Sequence, residues 1–121
     1  RDPMYIITNG IPYTQHRRIA NSGAEGFFRR IYISEEVGFA KPDRRFFDHV
    51  LSDIGCSADE AIVIGDSEKS DILGARNAGI RSIFISFSGA VSKLADWSVS
   101  SYGELGRLLF DGDQLDIEDQ Q

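Results

Sequence analysis

Apolar positions in this chain follow two alternating rhythms. Short unbroken apolar runs, of the kind found in strands buried on both faces, alternate with stretches where apolar residues recur every three or four positions. That alternation predicts a parallel sheet flanked by helices. "MYIIT" (4–8) predicts a first strand closing in an Asn9-Gly10 turn, and "YTQHRRIANSG" (13–23) a helix ended by Gly23. "RIYISE" (30–35) predicts a second strand. Lys41-Pro42-Asp43 then opens a helix, "RRFFDHVLSDIG", in which Phe46, Phe47, Val50, Leu51 and Ile54 share a face and Gly55 ends the run. "EAIVIGDS" (60–67) is the clearest strand, since its apolar run stops at Gly65-Asp66. It leads into "SDILGARNAG" (70–79), a helix whose Gly74, Ala75 and Ala78 are small enough for close packing on a sheet. "RSIFIS" (81–86) predicts a fourth strand, "WSVS" (97–100) a short fifth one and "SYGELGRLLF" (101–110) the last helix. No repeat, linker or second domain is visible.

Composition narrows the class. At 121 residues, 41% hydrophobic and 26% charged, the chain has the proportions of one globular domain. No apolar run approaches the roughly 18–20 residues that cross a bilayer, and the first residues lack the pattern of a signal peptide. A single cysteine, Cys56, excludes an internal disulfide and fits a reducing, cytoplasmic compartment. The net charge is −6, but Asp111, Asp113, Asp116, Glu118 and Asp119 crowd the end of the chain with no base among them. The first 110 residues, read as the folded part, are therefore nearly neutral, and residues 111–121 read as an acidic, mobile tail. Neither a nucleic-acid surface nor a basic membrane patch is indicated. Arg17-Arg18 and Arg29-Arg30 are too short and too far apart to form a stripe, and read as solvated ends of elements.

Three features fall at carboxyl ends of strands, where an open α/β sheet carries its chemistry. Thr8-Asn9-Gly10 offers a hydroxyl and backbone N–H groups to a phosphate oxygen, or is simply a turn. Lys41, next to a proline at a helix start, stands by the positive end of the helix dipole. A cation there calls for an anion, a phosphate or a carboxylate, unless it is an exposed loop residue. Gly65-Asp66-Ser67 with Asp71 supplies two carboxylates suited to Mg²⁺ rather than zinc, or a helix cap. The glycine is expected to let the backbone turn sharply.

Taken together and in this order, the three features resemble the haloacid dehalogenase-like (HAD) hydrolase superfamily. "YIITNG" is similar to its second motif, "GFAKPDRRFF" to its third and "IVIGDSEKSDILGARNAG" to its fourth. The resemblance runs from Met4 to Phe110 and is strongest toward phosphoglycolate phosphatases and pyrimidine 5′-nucleotidases. It implies a Rossmann-like three-layer α/β/α fold with a mostly parallel sheet. It further implies a Mg²⁺-dependent phosphatase that hydrolyses small phosphate monoesters, such as nucleoside monophosphates, through an aspartyl phosphate. By that resemblance Thr8, with the Asn9 and Gly10 backbone, holds the transferred phosphoryl group. Lys41 neutralises its charge and steadies the nucleophile, Asp66 binds Mg²⁺, and Asp71 supports the metal site.

The family's first motif, an apolar strand ending in Asp-x-Asp, is absent, and so is the helical cap that follows it. The chain therefore reads as the C-terminal part of a longer enzyme, inactive by itself and missing the strand that lies centrally in the family's sheet. Two unpartnered apolar strand edges are then expected to drive self-association, strand exchange or local rearrangement of the sheet. "RLLFDGDQLD" superficially resembles the lost motif, with Asp111 as nucleophile and Asp113 as acid/base, but a closing helix with a solvated tail is the better reading. A non-catalytic HAD scaffold is the rival class, against which Lys41 and Asp66 argue. A phosphate-accepting receiver domain shares the topology but needs an acidic pair that is missing. His16 and His49 read as surface residues, Cys56 as an inert thiol, and Trp97 and the phenylalanines as core. Ser67 lacks the surroundings of a hydrolase nucleophile.

Overall fold

The computed structural model describes residues 3–9 and 29–110. Within them the elements run β1 (Tyr5–Thr8), β2 (Arg30–Ile33), α1 (Ser34–Val37), α2 (Arg44–Ile54), a 3₁₀ turn (Ala58–Glu60), β3 (Ile62–Gly65), a π-helical turn (Glu68–Ile72) leading into α3 (Leu73–Asn77), β4 (Arg81–Ile85), β5 (Trp97–Val99) and α4 (Tyr102–Phe110). Every predicted strand is present. The expected helix at 13–23 and the acidic tail lie outside the described residues.

All strand pairings are parallel, but the strands form two sheets: β1 with β2, and β3–β4–β5 with β4 in the middle. This is the parallel α/β arrangement expected from the alternation of apolar runs and helical stretches. Side chains alternate across β3, and the two faces bury against different helices. Val63 joins Phe46, Phe47 and Val50 of α2 and Ala75 of α3 in one cluster, into which Tyr5 and Ile7 of β1 also pack. Ile62 joins Ile83, Ile85 and Val99, covered by Leu105, Leu108 and Leu109 of α4. Helices therefore cover both faces, in three layers. Phe46, Ile33, Ile72 and Ile83 are fully buried, each stabilising the fold by about 1.5–3 kcal/mol relative to exposure.

Local chemistry explains where α2 begins and ends. The Asp43 carboxylate accepts from the Arg45 N–H at 2.9 Å, satisfying one of the helix's unpaired donors. Gly55 closes the helix at φ 77°, a left-handed conformation that glycine adopts without steric cost.

Four sequence expectations change. The segment 70–79 is not one α-helix, because its first turn is a wider π turn starting at Glu68. Gly74 packs against a helix rather than the sheet: a Cβ there would come within 2.6 Å of the Phe47 ring and 3.2 Å of the Pro42 Cα. Gly65 is not in a left-handed turn, since among the described residues the positive-φ glycines are Gly38, Gly55, Gly79 and Gly89. The phenylalanines are not all core, since Phe87 is exposed and stacks on the still more exposed Tyr102, with ring centroids 5.0 Å apart. The short α1 and the 3₁₀ turn carry no apolar periodicity and were invisible to pattern reading.

Candidate functional site

The carboxyl ends of β1 and β3 meet at Lys41. Its backbone lies in the loop before α2, and its side chain is only 8% exposed. Nζ donates to the backbone carbonyl of Ile7 on β1 at 3.1 Å and to the carboxylate of Asp71, just beyond β3. The anion required beside this cation is thus a carboxylate of the same chain, and the two sheets, which share no strand pairing, are linked through one ammonium group.

Asp71 reaches this position for two local reasons. The π turn carries backbone bonds over five residues, including Ile72 N–H to the Ser67 carbonyl at 3.2 Å, and such wide turns recur at functional sites. Gly65 then gives the side chain room, since a Cβ on it would lie 2.5 Å from the Asp71 Cβ. Gly65 is therefore needed for close approach rather than for turning. The Ser67 N–H donates to the second Asp71 oxygen at 3.4 Å, and the Ser67 hydroxyl caps the turn by accepting from the Ser70 N–H at 3.2 Å.

Thr8 ends β1, and its hydroxyl donates to the Asn9 carbonyl at 3.1 Å. Asn9 does something that sequence reading missed. Its side-chain amide donates to the Lys41 carbonyl at 3.1 Å and accepts from the Lys41 N–H at 3.0 Å, across 32 positions of sequence. Asp66 follows β3 directly and is exposed. Gly10, Asp111 and Asp113 lie outside the described residues, as does His16.

Among the described residues no group of three or more His, Cys, Asp or Glu side chains is placed to hold a metal. The donor chemistry nonetheless fits a hard cation. Mg²⁺ is commonly held by one or two carboxylates, with water and phosphate oxygens completing its shell. Asp66 is free of the Lys41 pair and supplies such an oxygen, whereas Asp71 is engaged with Lys41.

The other candidates stay apart from this cluster. His49 is exposed and meets the edge of the Tyr32 ring. Cys56 is half-buried, and burial, reinforced by the nearby Glu60 charge, pushes its thiol up, away from reactivity. Sequence reading also missed Ser92. It is buried, donates to Glu68 at 2.6 Å and accepts from the N–H groups of Leu94 and Ala95, tying the loop after β4 to the π turn. Nothing local in the sequence announces contacts between residues 24 apart.

The family model described as haloacid dehalogenase-like hydrolase matches residues 3–85. The chain belongs to that family. It is 37% identical over 108 residues to the pyrimidine 5′-nucleotidase YjjG of Escherichia coli, covering 86% of this chain and 48% of that protein. With YfnB of Bacillus subtilis it shares 42% identity over 78 residues, 64% of this chain and 33% of the relative. A glyceraldehyde 3-phosphate phosphatase of Methanothermobacter thermautotrophicus is 38% identical over 80 residues, 66% of this chain and 35% of that enzyme. A crystal structure of YfnB bound to magnesium superposes with a TM-score of 0.84 at 32% identity, covering 90% of this chain and half of the other. The chain therefore spans between a third and a half of the length of these relatives. Its HAD-family relatives include phosphatases and nucleotidases. No described helix is long and apolar enough to cross a membrane.

Proposed function

We propose that this chain is the phosphate- and cation-holding part of a Mg²⁺-dependent phosphatase for small phosphate monoesters, with nucleoside monophosphates the first class to test. The observation that carries this reading is the buried Lys41 ammonium at the carboxyl ends of the strands, held between the Ile7 carbonyl and Asp71. A buried cation fixed at a strand end is suited to neutralising phosphoryl charge, and phosphoryl transfer depends mainly on positioning and charge neutralisation. The pyrimidine 5′-nucleotidase and the glyceraldehyde 3-phosphate phosphatase among its relatives support the same class.

In this reading the Thr8 hydroxyl and the neighbouring backbone receive a phosphoryl oxygen, and Lys41 meets the charge that builds on it. Asp66 holds the cation, which when bound offsets phosphate charge. Asp71 holds Lys41 in place and, by the family resemblance, also supports the metal site. By the family resemblance the attacking carboxylate stands on an apolar strand ending in Asp-x-Asp, a pattern that residues 1–110 do not contain. The chain alone is thus expected to bind phosphate without turning over a monoester.

The direct test is Mg²⁺-dependent phosphate release from a panel of monoesters, run with Asp66→Ala and Asp111→Ala variants. Release at background level supports the reading. Turnover lost in both variants would show that the tail supplies the nucleophile, and turnover surviving both would reveal a contaminating enzyme. The rival reading, an assembly module, is favoured by one observation: Ile64 on β3 is 40% exposed while β1 and β3 lie in separate sheets.

A further inference from the structure

We infer that Asn9 is the positioning residue for Lys41, fixing the lysine backbone so that its ammonium group is delivered to the strand ends. This rests on reading Lys41 as the cation that meets phosphate.

Lys41 lies in no helix or strand, so no ladder of backbone bonds holds it. Its side chain has four rotatable bonds, and ordering such a chain costs up to roughly 2 kcal/mol of rotamer entropy. The Nζ contacts to Ile7 and Asp71 persist only if the Lys41 Cα is fixed relative to β1. Asn9 fixes it by taking both the N–H and the carbonyl of Lys41 on one planar amide, in the manner of a neighbouring strand. Because Asn9 follows the last residue of β1, the clamp ties the lysine to the strand whose Ile7 carbonyl receives Nζ. From the other side the Asn77 amide donates to the Pro42 carbonyl at 3.3 Å, a single bond to the next residue. Only asparagine offers a donor and an acceptor at this short reach. Aspartate keeps the acceptor and loses the donor, and alanine loses both.

The test exploits the lysine content of the chain, Lys41, Lys69 and Lys93. Lys69 and Lys93 are exposed and act as internal controls for acylation by acetic anhydride, read by mass spectrometry. In the unaltered chain Lys41 should be protected relative to both. Asn9→Ala should raise Lys41 acylation on the order of tenfold or more, the scale of two lost hydrogen bonds, with Lys69 and Lys93 unchanged. Asn9→Asp should fall between the two. Unchanged Lys41 labelling in Asn9→Ala overturns the inference. An equal rise at all three lysines overturns it too, because Asn9 would then support the fold in general.

Titration with inorganic phosphate separates this inference from the functional reading beneath it. If Lys41→Met abolishes phosphate binding while Asn9→Ala leaves labelling and affinity alone, positioning by Asn9 is wrong and the functional reading stands. If Asn9→Ala selectively unmasks Lys41 but the unaltered chain binds no phosphate, the positioning stands and the functional reading fails.

Discussion

Lys41 and Asp71 form an ion pair whose side chains are only 8% and 11% exposed. Two charges so far withdrawn from water hold each other in place, and removing either leaves the other uncompensated. The pair is also the joint between two sheets that share no backbone ladder. It therefore serves the fold and the site together.

Lys41→Met and Asp71→Asn should each destabilise the chain by about 3–5 kcal/mol, the scale for breaking a buried pair. The double variant should cost clearly less than the two single losses combined, because it leaves no orphaned charge. Urea unfolding of all four proteins measures this. Strict additivity would mean that the two residues do not act as a pair.

Gly65→Ala should destabilise by about 1–3 kcal/mol, the range for overpacking a tight site. The added methyl group collides with the Asp71 side chain and so drives it off Lys41. The diagnostic effect is that Lys41 becomes open to acylation although neither member of the pair has been changed. A destabilised Gly65→Ala protein with Lys41 still protected would contradict this account of the glycine.

Tyr32, buried under β1 and α2, donates its phenol proton to Asp53 at 2.6 Å. Burial first, and then this bond and the Asp53 charge, push the phenol up to about 12. A folded-state pKa above the unfolded value of about 10 favours the protonated, folded form. The contribution is complete below about pH 10 and lost as pH rises toward 12. Asp53 has the opposite sign: the Tyr32 bond holds its carboxyl below the usual range, so its share is lost as pH falls through that lowered value. Tyr32→Phe should flatten the loss of stability between about pH 10 and 12, as read by denaturant midpoints. An unchanged alkaline profile would refute the assignment.

The strand edges predict association. Ile64 is 40% exposed on β3, and among the described residues β1 and β3 belong to different sheets and each has one edge without a strand partner. Analytical ultracentrifugation should show concentration-dependent self-association that Ile64→Lys weakens. A monomer at all concentrations, with or without the substitution, would remove this proposal and the assembly reading with it.

Much of this arrangement was legible in the residues. Strands announced themselves because both faces of a parallel sheet are buried, which forces apolar runs such as Ile83–Phe84–Ile85 on β4. The helix Arg44–Ile54 was legible from the recurrence of Phe46, Phe47 and Val50 on its inner face. Lys41 and Asp71 were each singled out as chemistry-bearing residues, and the need for an anion beside Lys41 followed from the helix dipole. That Asp71 is the anion did not follow, because thirty positions separate the two and only the fold joins them. The same holds for the Asn9 amide on the Lys41 backbone, and for Gly65, whose need is set by a side chain six residues later. The π turn was hidden because a wide turn and an α-helical turn share nearly the same apolar spacing.

The central claim is that Lys41 is a phosphate-binding cation, and isothermal titration of the chain with inorganic phosphate, with and without Mg²⁺, tests it most directly. The account predicts saturable binding that strengthens with Mg²⁺, is lost in Lys41→Met and loses its Mg²⁺ dependence in Asp66→Ala. Absence of binding, or binding unchanged in Lys41→Met, would contradict it.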